Sequence, residues 1–254
     1  VYNRVVVGLA LLLLLLAGCA PAVPVPRAGE LLYVTTFDAF NEDWQQYEGR
    51  LSAQVTTDGQ NAVMQIIVDD VREGAFTLLD RVFSDVDLIV EARQTAGPED
   101  LNAPGFGVIF RHQNNDNFYS FLISSDGYYQ VSRRRDGVDE ALSDWAETPL
   151  IHPGQAANTI RVIAQGQTFT FFINDEQVPL CLTLWNPAVP GECIDSELVM
   201  QLVDDTFPPQ GRIGLGARSF DQGGVVVAFD NLLVCGPYDA PPIPYRCGTL
   251  TGNF

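Results

Sequence analysis

The stretch Gly105–Arg134 constrains this chain more than any other, because it reads as three successive antiparallel strands joined by two tight turns. Phe106–Arg111 is apolar at nearly every position, as in a strand central in its sheet or buried on both faces. His112–Asn117 is a polar cluster of Asn and Asp, residues that tolerate left-handed φ and satisfy their own turn backbone. Phe118–Ser124 then alternates, with Tyr119, Phe121 and Ile123 on one face and Phe118, Ser120, Leu122 and Ser124 on the other. Asp126-Gly127 predicts a type I′ hairpin turn, which needs φ > 0 at both central positions. Beyond it, Tyr129 and Val131 share one face, and Tyr128, Gln130, Ser132 and Arg134 the other. A meander of this kind belongs to a sheet with one wet face.

Short strand-like runs continue on both sides of the meander. Leu31–Phe37, Arg50–Val55, Ala62–Val68, Ala75–Phe83 and Val86–Arg93 precede it, with Asp58-Gly59 as a turn. Thr159–Ala164 and Thr168–Ile173 follow as a hairpin, then Gln177–Leu180, Val199–Val203, Arg212–Arg218 and Val225–Val234. The segment after Asp136-Gly137 reads as a polar connection carrying Trp145, and Leu182–Leu198 as an irregular insertion. No long amphipathic helix interrupts them. The fold class expected is therefore all-β, a two-sheet antiparallel sandwich. Its core should contain Tyr119, Phe121, Ile123, Tyr129, Val131, Ile160, Val162, Phe169, Phe171, Ile173, Ile213, Leu215 and Phe229. A chain of 254 residues, 46% hydrophobic and only 18% charged, has ample apolar surface for one such domain.

The net charge of −18 argues against nucleic acid or an anionic membrane surface as a partner. Every basic residue is Arg, which removes Schiff-base and lysine-nucleophile chemistry. At the N-terminus, Arg4 precedes the apolar run Val5–Ala17, too short to span a bilayer and of the length of a signal-peptide core. It ends in Leu16-Ala17-Gly18-Cys19, which resembles the lipobox of bacterial lipoproteins. That resemblance implies cleavage after residue 18, a lipid on the Cys19 sulfur and a membrane-anchored, extracytoplasmic protein. The alternative is an ordinary secretory signal with a chance Cys. The expected organisation is a signal peptide over 1–18, a Pro-rich tether over 19–30, the sandwich over 31–235 and a tail over 236–254.

Four further cysteines remain: Cys181, Cys193, Cys235 and Cys247. In an exported protein they suggest two disulfides, for which three connectivities exist. The neighbouring pairs Cys181–Cys193 and Cys235–Cys247 would close short loops of matching length. Metal binding is the alternative, though the spacing is unlike zinc motifs.

The order of signals carries a further resemblance. Gly107…Phe110-Arg111, Asn117-Phe118-Tyr119 and Gly127-Tyr128 are followed by Asn158…Ile160-Arg161-Val162 and Ile173-Asn174. Gly211-Arg212-Ile213-Gly214-Leu215 and Phe229-Asp230-Asn231-Leu232 close the series. From Leu31 to Val234 the chain resembles the concanavalin A-like lectin/glucanase jelly rolls, particularly domains related to 3-keto-disaccharide hydrolases. The resemblance implies a jelly roll whose concave face receives glycans. The Glu-x-Asp-x-x-Glu strand of the laminarinase-type hydrolases is absent, and Tyr119–Ser125 stands where the keto-disaccharide hydrolases are more acidic.

Candidate site residues each carry two readings. Arg111 could bind a sugar or carboxylate, or pair with an Asp at the core edge. Tyr128, Trp145 and Trp185 could offer aromatic platforms to sugar rings, or cover sandwich edges. Arg133, in the cluster Arg133–Arg135, could bind an anionic glycan, or stand on a solvated hairpin. Asp38 and Asp230 could hold calcium, the one cofactor the sequence raises, or bond to turn amides. His112 and His152 lie in unrelated segments, and Ser-His-Asp and phosphate-cradling motifs are absent. The expectation is a non-catalytic, surface-anchored module that binds glycan or another extracellular ligand. The alternatives are a glycoside hydrolase-like enzyme acting on keto-disaccharides and a structural or protein-binding envelope component.

Overall fold

The computed structural model describes residues 23–38, 42–57, 61–99, 103–189, 191–195, 197–238 and 247. The lipobox with Cys19, the first residues of the tether, the Asp58-Gly59 turn and most of the tail lie outside the described residues. The strands in chain order begin with β1 (Leu31–Thr35), β2 (Leu51–Thr57), β3 (Ala62–Val68), β4 (Gly74–Phe83) and β5 (Val86–Ala96). The meander follows as β6 (Gly105–Asn114), β7 (Asn117–Ser124) and β8 (Tyr128–Arg135), extended by β9 (Val138–Glu147). Then come β10 (Asn158–Gln165), β11 (Thr168–Ile173), β12 (Glu176–Gln177), β13 (Leu184–Trp185) and β14 (Cys193–Ile194). The last are β15 (Leu202–Val203), β16 (Gly211–Arg218) and β17 (Val225–Cys235).

These strands form two large antiparallel sheets. The front sheet is six-stranded, ordered β4-β16-β6-β7-β8-β9. The back sheet is nine-stranded, with the path β12-β11-β10-β5-β17-β3-β2, β1 added to β17 and β15 to β11. The described residues contain no helix. Strands neighbouring in space are often distant in sequence, as β16 is between β4 and β6, which is the connectivity of a jelly roll rather than a simple meander.

The core lies between the sheets and contains all the residues expected there, each at most 2% exposed. Period-two alternation puts Tyr119, Phe121 and Ile123 inward from β7, where they meet inward residues of β10 and β11. Tyr119 stacks on Phe110 of its own sheet at 5.4 Å and meets Phe169 of the back sheet at 4.9 Å. Each such side chain contributes about 1.5–3 kcal/mol of burial. On the outer face of the back sheet, the Arg161 guanidinium forms a bidentate pair with Asp87 at 2.8 and 2.7 Å. The disulfides join Cys181 to Cys193 and Cys235 to Cys247, with Cα–Cα distances of 5.5 and 6.0 Å. A loop of either length stabilises by ~3 kcal/mol in the chain-entropy treatment.

Two sequence expectations are corrected. The β7–β8 connection is not type I′: the Gly127 amide donates to the Ser124 carbonyl at 3.1 Å, and only Gly127 has positive φ, +99°. The loop therefore has three residues, a turn ending in a left-handed glycine. Positive φ at both central positions occurs instead at Asp136-Gly137, with φ of 50° and 80°. That turn makes the supposed polar connection after it a strand, β9, paired to β8 along the front-sheet edge.

Candidate functional site

The outward half of the meander's alternation builds an open trough of about 500 Å³ across the front sheet. Its floor takes Ser120 and Leu122 from β7, Ser132 from β8, Ile109 from β6 and Gly216 from β16. Ser120 and Ser132 are paired across β7 and β8, and their hydroxyl oxygens lie 2.7 Å apart. Two further positions of this sheet are held to glycine by sterics. A Cβ on Gly107 would collide with the Phe121 carbonyl oxygen, and one on Gly214 with the Thr77 carbonyl oxygen. Side chains larger than hydrogen are excluded there.

One wall of the trough is aromatic. Arg111 has left-handed backbone, φ +52°, and shifts the β6 register. Phe110, Arg111 and His112 are consequently all buried, and His112 packs against Phe76 and Phe118, which line the trough. The His112 ring stacks on Phe118 at 5.8 Å with a 20° interplanar angle, and Phe76 from β4 meets both at about 6 Å. Burial lowers the His112 pKa; the nearby Asn115 side chain opposes this, but neither ring nitrogen closes a hydrogen bond. Phe76 and Phe118 remain half-buried and line the trough.

Arg218, which lines the trough, packs beside two aromatic rings. Trp145 from β9 reaches over Gly105 of β6, where a methyl would come within 3.1 Å of its ring. It packs edge-on against Phe220, with centroids 5.9 Å apart at 82°, and the Arg218 guanidinium lies over the Phe220 ring at 5.2 Å. Arg134 and Arg72 also line the trough, paired with Asp139 at 3.0 Å and Asp221 at 2.7 Å. The acidic lining residues Glu73, Asp116 and Asp139 come from turns and the edge strand, for β6, β7, β8 and β16 contain no Asp or Glu.

The residues singled out in the sequence are scattered by the fold. Tyr128 and Trp145 stand on the trough's side of the sheet, both half-buried. Trp185 packs on the core and donates its indole N–H to the Asp144 carbonyl at 3.0 Å. Arg111 is withdrawn from the surface, 3% exposed, and points to the end of the sandwich. Its guanidinium donates to the carbonyls of Ser84, Pro209, Ala164 and Gly166 and to the Asp85 carboxylate. Arg133 faces the sandwich rim rather than the trough, meeting Glu140 at 2.6 Å and Asp204 at 2.5 Å. Arg135 is paired with Glu140, so each member of the arginine cluster meets a carboxylate.

Asp38 accepts from the Thr36 hydroxyl at 2.6 Å, and Asp230 accepts from the Asn231 amide at 2.7 Å. Among the described residues no three His, Cys, Asp or Glu side chains are grouped to hold a metal. The trough residues not singled out as a site in the sequence are Phe76, Phe118, Arg218 and Gly216. Their signal was the outward half of the alternation, read there as a wet face.

No family model matches the chain. A TPR repeat-containing protein of Treponema pallidum is 22% identical over 125 residues, which is 49% of this chain and 12% of that relative. The chain thus spans about an eighth of that protein's length. Solved structures resemble it throughout. A protein of unknown function with a galectin-like fold from Bacillus subtilis has a TM-score of 0.55 at 12% identity, covering 83% of this chain and 97% of that one. A carbohydrate-binding module from Bacillus subtilis gives 0.52 at 16%, covering 76% and 95%. A β-glucanase from Bacillus licheniformis gives 0.53 at 9%, covering 84% and 100%. At these identities the likeness is one of fold, and the fold is a concanavalin A-like two-sheet jelly roll.

Proposed function

We propose that the chain is a lipid-anchored, extracytoplasmic module whose trough binds a glycan without cleaving it. The observation that carries this reading is the lining of the trough. Half-buried Phe76 and Phe118 flank a floor of glycine and serine hydroxyls, and the four strands beneath it carry no carboxylate. Sugar rings present apolar C–H faces that pack on aromatic rings, and hydroxyls that pair with Ser and amide groups. Hydrolysis of a glycosidic bond needs two carboxyl groups placed on either side of it. Here the trough's carboxylates sit at its margins, and Asp139 is neutralised by Arg134.

The fold likeness to a carbohydrate-binding module supports the reading as to class. Two disulfides and the lipobox-like Leu16–Cys19 support an exported protein held at a membrane by Cys19. The test is titration calorimetry of the purified chain against plant, bacterial and host polysaccharides, with Phe118→Ala as control. Loss of one stacking ring should weaken binding ~10-fold, about 1.4 kcal/mol, with the thermal midpoint little changed. No binding across the panel, or turnover of a 3-keto-glucoside, would overturn the proposal.

A further inference from the structure

We infer that the glycan held in the trough carries a single anionic group, a carboxylate or sulfate, seated on Arg218; this rests on the trough being the glycan site. The chain has 14 basic against 32 acidic residues, and most of the described arginines meet a carboxylate. Arg72 and Arg134, on the same trough, are both ion-paired. Arg218 lines the trough with them, yet among the described residues no carboxylate lies within 4.0 Å of its guanidinium.

Aromatic rings hold it instead. Its guanidinium lies over Phe220, and its aliphatic stem and the Trp145 ring both press against Gly105. A cation–π contact of ~0.5–2 kcal/mol orients the guanidinium without neutralising it. The planar fork of N–H donors then remains available for bidentate bonding, the geometry that carboxylates and sulfates match.

The number of anionic groups follows from the surrounding charge. Glu73, Asp116 and Asp139 line the same trough, and the whole chain is at −18. Salt screens the distant acids beyond ~8 Å, but the lining carboxylates stay within reach of a bound ligand. A polyanion therefore meets repulsion along the trough, whereas one anionic sugar among neutral ones brings a single charge, which Arg218 pairs.

The experiment titrates the purified chain with glucuronosyl-xylo-oligosaccharide and sialyllactose, each paired with its carboxyl-reduced form, and with sulfated and plain lactose. The expected result is at least ~10-fold tighter binding of an anionic member than of its neutral partner, and that ratio falling to about one in Arg218→Gln. Arg218→Lys, which keeps charge and stem, should retain part of the ratio and shows that the variant site is still built. Preference for a carboxylate arm or the sulfate arm identifies the group. Equal binding of anionic and neutral partners, or a preference that survives Arg218→Gln, overturns the inference while leaving glycan binding intact. Binding of none of the six, in a chain that also fails the wider polysaccharide panel, overturns both.

Discussion

Arg111→Met tests whether this arginine holds the sandwich together or serves a ligand. Methionine keeps the apolar stem and removes every donor. Five acceptors are affected: the carbonyls of Ser84, Pro209 (2.7 Å), Gly166 (3.0 Å) and Ala164 (3.4 Å), and the Asp85 carboxylate (3.3 Å). The bonds to Pro209, Gly166 and Asp85 are only partly buried, so water can replace the lost donor. The bonds to Ser84 and Ala164 are buried, and a carbonyl left without a donor there costs ~1–3 kcal/mol. Against this, burial lowers the Arg111 pKa, the mark of a cation that pays for desolvation, and its Nε has no partner. Removing the charge recovers part of that cost. The net expectation is a loss of about 3 kcal/mol, a large share of a domain stability of roughly 5–15 kcal/mol. With an m-value of ~3 kcal/mol per molar, the urea midpoint should fall by about 1 M at unchanged m. A midpoint within 0.2 M of the native one (on the order of 0.6 kcal/mol), with glycan binding lost, would refute the structural account and return Arg111 to the ligand.

Two further outcomes follow from the rim and the N-terminus. Burial raises the Asp204 pKa, but bonds from Thr206, Tyr119 and Arg133 outweigh it and hold the carboxyl below its ordinary 3.8. The folded state thus binds this proton less readily than the unfolded state, so its stabilisation is complete above about pH 3.8 and is lost as pH falls below that. Asp204→Asn should lower the urea midpoint at pH 7 and flatten its decline below pH 4; a decline parallel to the native one would refute this. For the anchor, Cys19→Ser should move the chain from the membrane to the soluble fraction, and a native chain whose mass shows an unmodified Cys19 would remove the lipid from the proposal.

The fold was largely legible because period two marks which side chains a sheet must bury. Tyr119, Phe121 and Ile123 could hardly face water together, and they do not. β9 was missed because that rule fails at a charged edge. Val138–Glu147 carries Asp139, Glu140, Asp144 and Glu147, is itself bulged on either side of Ser143 where it pairs with Val131, and buries only Ser143 and Ala146. Charged edges guard against pairing with other chains, so they give no apolar signal. The turn type was misread because Ser125-Asp126-Gly127 suits both loops, and the Ile123–Tyr129 pairing decides between them. Arg111 could be read either way until the β6 shift turned it inward. The trough itself depends on non-local neighbours: no window of sequence brings Phe76 beside Phe118, or Arg218 and Phe220 beside Trp145.

The meander also explains how a fold persists while its chemistry changes. On β7, the inward residues Tyr119, Phe121 and Ile123 are fully buried against Phe169 and Phe171, and substitutions there act on stability. The alternate residues Phe118, Ser120 and Leu122 touch the trough and bear little of that packing. Selection on a ligand therefore acts on one half of the alternation and selection on the fold acts on the other. A jelly roll can exchange carboxylates for hydroxyls on its open face without disturbing its core. Structural overlap across most of the chain at 9–16% identity is what such a division produces. It also means that the activity of a glucanase of this fold does not travel with the fold. On the proposal made above, ligand choice falls to the trough residues Phe76, Phe118, Ser120, Ser132 and Arg218.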